Sequence, residues 1–308
     1  MKPETRAKLV LAAADGPPDK RIAACDRLVR DGHFDEVVGP LEQLAALPAT
    51  ASEARKLIAI CRQLKRWGIV GQLEAYTHQS ASAPNPELLP DFAEKSGALI
   101  ARRPRADKVI FVFSGAMKKI WVSLHLLHQM LPKQDCHIVY LRDDDRCCYL
   151  TGVGGFGDSY DAALSGMREL VAALGDPRVF CIGSSGGGYA ALRYGLDLGA
   201  QGVLAFSPST DPSHLPAAFK GTFLEGFCEQ NPHVTTDLRE AYATAVEPPV
   251  ATLVFGGAHE EDTAASRRMQ GLPTITLCPI EGYDRHDAIS QTLASGQFPG
   301  LIRSMLEA

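Results

Sequence analysis

The stretch Gly183-Ser184-Ser185-Gly186-Gly187 places two hydroxyls inside a run of glycines. The apolar run VFCI leads into it and GYAALRYG, a helix-forming run, leaves it. Read as G-x-S-x-G, the pattern centres on Ser185; centring it on Ser184 would need glycine in place of Ile182. A nucleophile on a sharp strand-to-helix turn takes up a strained backbone and projects clear of its strand. The residues two before and two after it then come close, and only small side chains fit. Gly183 and Gly187 meet that demand. The new helix points free N–H groups and its positive end at the same spot. The N–H of Gly186 is then placed to stabilise a developing oxyanion. The chemistry expected is acyl transfer through a serine hydroxyl. One rival is a phosphate-binding loop, but neither G-x-x-x-x-G-K-[ST] nor G-x-G-x-x-G is spelled at this turn. The other is a structural serine among packing glycines.

A serine nucleophile needs a base, and the base needs an orienting acid. Where a serine sits on such a bend, the partners follow in the order acid, then histidine. The late histidines are His259 and His286, and the order favours His286, in the loop after TITLCPI. The acid is expected after the run ATLVFGG, where Glu260, Glu261 and Asp262 lie. Asp262 is preferred and Glu260 comes next, although Asp262 leads into TAASRRM and could simply cap that helix. A second oxyanion donor is expected after KVIFVFSG, from the N–H of Ala116 or, next to it, Met117.

These residues need elements to hold them. From residue 93 to 308, apolar runs alternate with helical ones: GALIARRP is a candidate strand, KVIFVF, CHIVYL, RVFCIG, QGVLAF, PPVATLVF and PTITLCPI read as strands, and residues 286–308 read as one closing helix. Strands that are apolar throughout, and not at every second residue, belong to a sheet covered on both faces. The expected architecture is α/β, a mainly parallel doubly wound sheet. A strand-free insertion at about 208–248 carries Leu215, Phe219, Phe223, Leu224 and Phe227 at helical spacing and is expected to form a helical cap. Residues 1–80 read as an all-α appendage, and the Ser/Ala/Pro-rich residues 81–92 as a linker. Gly32 and Gly68 break the helical pattern at close to the period of a helical-hairpin repeat. Leu28, Gly32, Phe34, Ala45 and Pro48 make the first hairpin resemble a tetratricopeptide repeat.

The chain of 308 residues has a formal net charge of −5 and 45% hydrophobic residues. No basic excess points to nucleic acid or an anionic membrane. No run is long and apolar enough for a membrane span or a secretory leader, so the expected address is cytoplasmic. The 8 cysteines show no C-x-x-C pair and read as reduced, mostly buried thiols. His125 and His128 lack a third partner, so neither a metal nor another cofactor is expected.

Ser185 in GSSGG, the small loop SGAM, the loop GGAHEED and the late His286 resemble the α/β-hydrolase superfamily over residues 93–308. The runs LRDDDRCCYLTGVGGFG, GSSGGGYAALRYG and LAFSP are also similar to a bacterial subgroup of uncharacterised hydrolases. The first strands of a full hydrolase sheet have no counterpart in the pattern. The resemblance implies acyl transfer to water on a small-molecule ester or related acyl substrate. Ser185 would attack, His286 would move the proton, Asp262 would hold the imidazole, and Gly186 and Ala116 would bind the oxyanion. Two other readings fit the same residues. One is an acyltransferase or deacetylase acting on a glycan or other acceptor. The other is a non-catalytic hydrolase-like scaffold. In that last reading the N-terminal helices recruit a protein partner; otherwise they are expected to pack on the main domain or on a second copy.

Overall fold

A computed structural model describes residues 2–15, 17–46, 56–58, 60–61, 64, 97–115, 120–122, 124–132, 135–212 and 235–308. They fall into two compact units.

The first unit holds α1 (Pro3–Ala14), α2 (Pro18–Arg30), α3 (Val38–Ala46) and α4 (Leu124–Met130). α1 and α2 each open on proline, whose missing N–H costs nothing in a first turn. α2 buries Ile22, Cys25, Leu28 and Val29, one stripe at helical spacing. Its end is set by Gly32. The Gly32 N–H bonds Val29 O at 3.0 Å and the His33 N–H bonds Leu28 O at 2.9 Å, a closure that puts Gly32 at φ +82°. Leu28 packs with Val37, Leu41, Leu57 and Cys61, while Phe34 stays half exposed. The side chain of Ala45, Pro48, and nearly all of the second hairpin and the linker lie outside the described residues.

The second unit is a seven-stranded sheet: β1 (Ala98–Ala101), β2 (Lys108–Phe113), β3 (Cys136–Leu141), β4 (Arg178–Ser184), β5 (Gly202–Phe206), β6 (Val250–Gly256) and β7 (Ile275–Ile280). The order is β1-β3-β2-β4-β5-β6-β7, with every pair parallel except β1 against β3. The helices are α5 (Tyr160–Ala173), α6 (Gly186–Asp197), α7 (Leu238–Thr244), α8 (Glu260–Arg267), α9 (Ala288–Ala294) and α10 (Phe298–Leu306). Consecutive residues of β2, Val109 to Phe113, are all buried, as the continuous apolar pattern requires. On β5 the cause is visible. Val203 faces α6, where a Cβ on Gly195 would lie 2.8 Å from its Cγ2. Gly202 faces α10, where a Cβ would lie 2.4 Å from Met305 O. The edge strands β1 and β7 are only partly covered. The closing stretch is two helices and not one, because Gly296 turns at φ +73° between α9 and α10. Residues 213–234 of the expected cap lie outside the described residues; α7 follows them. Among the described residues, no helix is long and apolar enough to cross a membrane.

Candidate active site

Register brings the bend of β4 to the middle of the sheet, with Gly183 beside Phe113 of β2 and Ala205 of β5. Ser185 stands between the end of β4 and the start of α6 at φ 58° and ψ −125°. That conformation is costly for a residue with a side chain, on the order of 1–3 kcal/mol. Its neighbours hold it there. The Ser185 N–H bonds Phe206 O at 2.9 Å, and the Ser185 carbonyl accepts from Gly188 N–H at 2.8 Å. The glycines are a steric necessity. A Cβ on Gly183 would lie 1.9 Å from Gly187 O, and one on Gly187 would lie 2.3 Å from Phe113 O and 2.4 Å from Ser114 O. Gly188, which the pattern does not require, is also pinned, with Pro208 Cβ at 2.9 Å.

The loops after β6 and β7 meet this bend. His286 Nε2 lies 2.9 Å from Ser185 Oγ, and His286 Nδ1 lies 2.7 Å from Asp262 Oδ1. Asp262 is buried in the first turn of α8, whereas Glu260 and Glu261 beside it are exposed. The carboxylate that reaches the ring is therefore Asp262 and not Glu260. Asp262 does not cap its helix. That place belongs to His259, whose Nδ1 accepts from the Asp262 N–H at 3.3 Å. His259 Nδ1 also lies 3.2 Å from Asp262 Oδ1, and its ring centroid is 5.7 Å from that of His286. His259, Asp262 and His286 each offer a metal-ligating atom within 4.8 Å of the others. Gly186 opens α6, so its N–H has no helical partner. Ala116 and Met117 lie outside the described residues.

Three further residues stand at or near the site without a role assigned from the sequence, although two of them fall in the run LRDDDRCCYLTGVGGFG. Trp121 is half exposed and meets the His286 ring edge-on, centroids 6.0 Å apart. It sits at φ 65°, and its carbonyl accepts from Ser290 Oγ at 3.2 Å. Its rarity was the available signal, since the chain has 2 tryptophans. Tyr149 is buried at the stem of the β2 loop. Its hydroxyl donates to Leu141 O at 2.9 Å or Ser114 O at 3.1 Å, with Ser114 Oγ at 3.2 Å. Burial raises its phenol well above the ordinary value. Asp143 anchors the segment after β3 that carries Tyr149. Burial raises its carboxyl, and the backbone N–H groups of Cys147, Tyr149, Arg146 and Cys148 pull the other way. Those groups converge because Arg146, Cys148 and Tyr149 are all left-handed. The later run GVGGFG spells G-x-G-x-x-G, but its two ends close on each other: a Cβ on Gly152 would lie 2.3 Å from Gly157 O, and Val153 pairs with Gly157.

The sheet order, with one antiparallel edge strand and a serine on the bend after the central β4, is that of the α/β-hydrolase fold. No family model matches the chain, and neither does any curated protein. Among solved structures it is similar to MenH from S. aureus, at 11% identity over 68% of this chain and 99% of that one, with a TM-score of 0.45. It is similar to a structure from work on carboxylesterases of the thaumarchaeon Nitrososphaera gargenis, at 12% identity over 68% and 95%, TM-score 0.48. It is also similar to the capsule O-acetyltransferase of Neisseria meningitidis serogroup A, at 17% identity over 67% and 91%, TM-score 0.49. The likeness is one of fold.

Proposed function

We propose that the chain is a serine hydrolase that cleaves a carboxylic ester, or a related acyl bond, of a small molecule. One observation carries this reading: the unbroken hydrogen-bonded line from Ser185 Oγ through the His286 ring to the buried Asp262 carboxylate. With its proton on Nδ1, His286 donates to Asp262 Oδ1 and presents the Nε2 lone pair to the Ser185 hydroxyl. Ser185 Oγ attacks the acyl carbon as its proton passes to Nε2. Asp262 holds the ring in that tautomer and stabilises the imidazolium without itself taking the proton. The oxyanion falls to the Gly186 N–H, with the Ala116 N–H as the second donor. The imidazolium returns its proton to the leaving alcohol. Water then repeats the attack on the acyl-enzyme with the same base. Trp121 supplies a flat apolar wall beside the base, a place for the apolar part of the substrate.

The test is labelling with a fluorophosphonate probe, run beside p-nitrophenyl esters of rising acyl length. The expected result is labelling at a single serine, turnover of at least one ester, and loss of both in Ser185→Ala. Wild-type protein that neither takes up the probe nor hydrolyses any ester would overturn the reading. Probe uptake with stalled acyl-enzyme and release only to an added hydroxyl compound would redirect it to acyl transfer.

A further inference from the structure

We propose that His259, Asp262 and His286 bind a divalent transition-metal ion of the zinc type, and that the bound ion and the proton line through His286 exclude each other. The exclusion rests on the hydrolase reading above; the binding does not.

The donor set is two imidazoles and a carboxylate. That is a set for zinc or cobalt, since calcium and magnesium favour all-oxygen sites. Ligands around a tetrahedral zinc at roughly 2.0–2.1 Å stand about 3.3 Å from one another. Here Asp262 Oδ1 is 3.2 Å from His259 Nδ1 and 2.7 Å from His286 Nδ1. One ligating atom from each residue falls within 4.8 Å of the other two. The site requires the two imidazoles to close on one ion around Asp262 Oδ1, which leaves a fourth position for solvent. Asp262 also has bonding capacity beyond Oδ1. Asp262 Oδ2 is buried and has no hydrogen-bond partner among the described residues. A carboxylate with an unused buried oxygen has bonding capacity to spare. The site is reachable, because the side chains of His259 and His286 keep 24% and 35% of their exposure. Glu260 and Glu261, in the same first turn, offset the positive end of α8. The neighbouring cation Arg285 is engaged with Asp287 at 3.0 Å.

A neutral imidazole has one lone pair and one N–H. In the resting line the N–H is at Nδ1 and the lone pair is at Nε2. An ion that takes Nδ1 forces the proton onto Nε2 by way of solvent, with no net proton gained or lost. Nε2 then donates to Ser185 Oγ and cannot accept its proton. The ion also takes the Asp262 oxygen that oriented the ring. On His259 it takes the lone pair that capped α8, so the three residues change role together.

The test uses the full chain after chelator treatment. Co²⁺ is titrated and followed by its visible four-coordinate absorption, in wild type, Ser185→Ala and His259→Asn. Asn is a good N-cap acceptor, so His259→Asn removes the ligand and keeps the cap. Circular dichroism checks its fold, and His286→Gln serves as an independent second variant. Wild type and Ser185→Ala should bind one equivalent alike, and His259→Asn and His286→Gln should each bind at least about tenfold more weakly. Zn²⁺ should slow fluorophosphonate labelling of wild type in step with occupancy, with full recovery on chelation. His259→Asn, measured against its own metal-free rate, should escape that inhibition at the same Zn²⁺ concentration. Absence of saturable Co²⁺ binding, or wild-type affinity in His259→Asn or His286→Gln, overturns the site. Bound metal with undiminished labelling overturns the exclusion. Wild type that never labels, even free of metal, defeats the hydrolase reading, while the Co²⁺ titration still decides the site.

Discussion

Replacing Gly187 by alanine tests the steric basis of the bend. The new Cβ would lie 2.3 Å from Phe113 O and 2.4 Å from Ser114 O, both main-chain atoms at the end of β2. Cβ atoms do not approach heavy atoms closer than 3.0 Å, so the bend and β2 must part by about 0.7 Å. Neither side is a flexible tip. Phe113 is hydrogen-bonded into the sheet centre, and Gly187 is held by the first turn of α6. Overpacking of this kind costs about 1–3 kcal/mol. The helix-propensity gain of alanine over glycine, about 1 kcal/mol, offsets only part of it. The effect on turnover should be larger, because Ser185 rides on the displaced turn, 2.9 Å from His286 Nε2. A misplacement near 1 Å costs on the order of 100-fold in rate, so kcat/KM for the best p-nitrophenyl ester should fall roughly 10- to 100-fold. Urea unfolding measures the stability change on the same samples. The control is Gly300→Ala in α10, where an added Cβ meets nothing within 4 Å. It should keep full activity and gain about 0.5–1 kcal/mol. If Gly187→Ala retains wild-type rate and stability, the claim that the glycines exist to let the bend close is wrong.

Three further outcomes follow from the same geometry. Asp262→Asn should leave the fold intact but favour the wrong tautomer of His286, with a fall in kcat on the order of 10⁴; Glu260→Gln, altering an exposed neighbour, should change kcat less than twofold, and a large Glu260 effect would contradict the assignment. Tyr149→Phe removes the hydroxyl that ties Ser114 to Leu141, so it should lower stability by about 1–3 kcal/mol and reduce kcat while KM stays put; an unchanged kcat would separate that hydroxyl from the loop it stands under. Burial pushes the thiols of Cys25, Cys136 and Cys147 up to about 11. A raised thiol value means less thiolate at a given pH, about one part in a thousand at pH 8, so Ellman's reagent should modify the partly exposed Cys278 well before these three, and rapid modification of any of them in native protein would refute their burial.

Much of the geometry of the candidate site could be read from the chain because its constraints are local. Gly183 and Gly187 answer to a backbone contact that any tight strand-to-helix bend creates, so their spacing about Ser185 carries the geometry. The α2 stop at Gly32 is equally local, needing one left-handed residue after an amphipathic run. What could not be read is what tertiary contact decides. Four apolar residues from Ala98 to Ala101 mark a strand but hold no record of direction, and β1 runs antiparallel. His259 gave no sign of being a cap, because histidine is not among the residues that favour that place. Among the carboxylates Glu260, Glu261 and Asp262, the pattern alone prefers Asp262 without deciding against Glu260. Helical rotation separates them, since the third residue of the α8 turn is the one that faces inward and the first two face water.

Sequence distance did not obstruct the reading, and the reason is the sheet. Ser185 and His286 are 101 positions apart, and His286 and Asp262 are 24 apart. In a parallel sheet every strand ends on the same edge, so the segments after β4, β6 and β7 leave toward the same side. Register then limits how far apart they can land. β5 separates β4 from β6, and β7 lies beside β6, so neighbouring spacings of about 4.8 Å keep the three exits within roughly 15 Å. A histidine and a carboxylate on short loops span that gap. The chain order serine, acid, histidine is the order in which these strands are laid down outward from the centre. This is why alternation of apolar runs, which speaks only of packing, also tells which segments share one edge of the sheet.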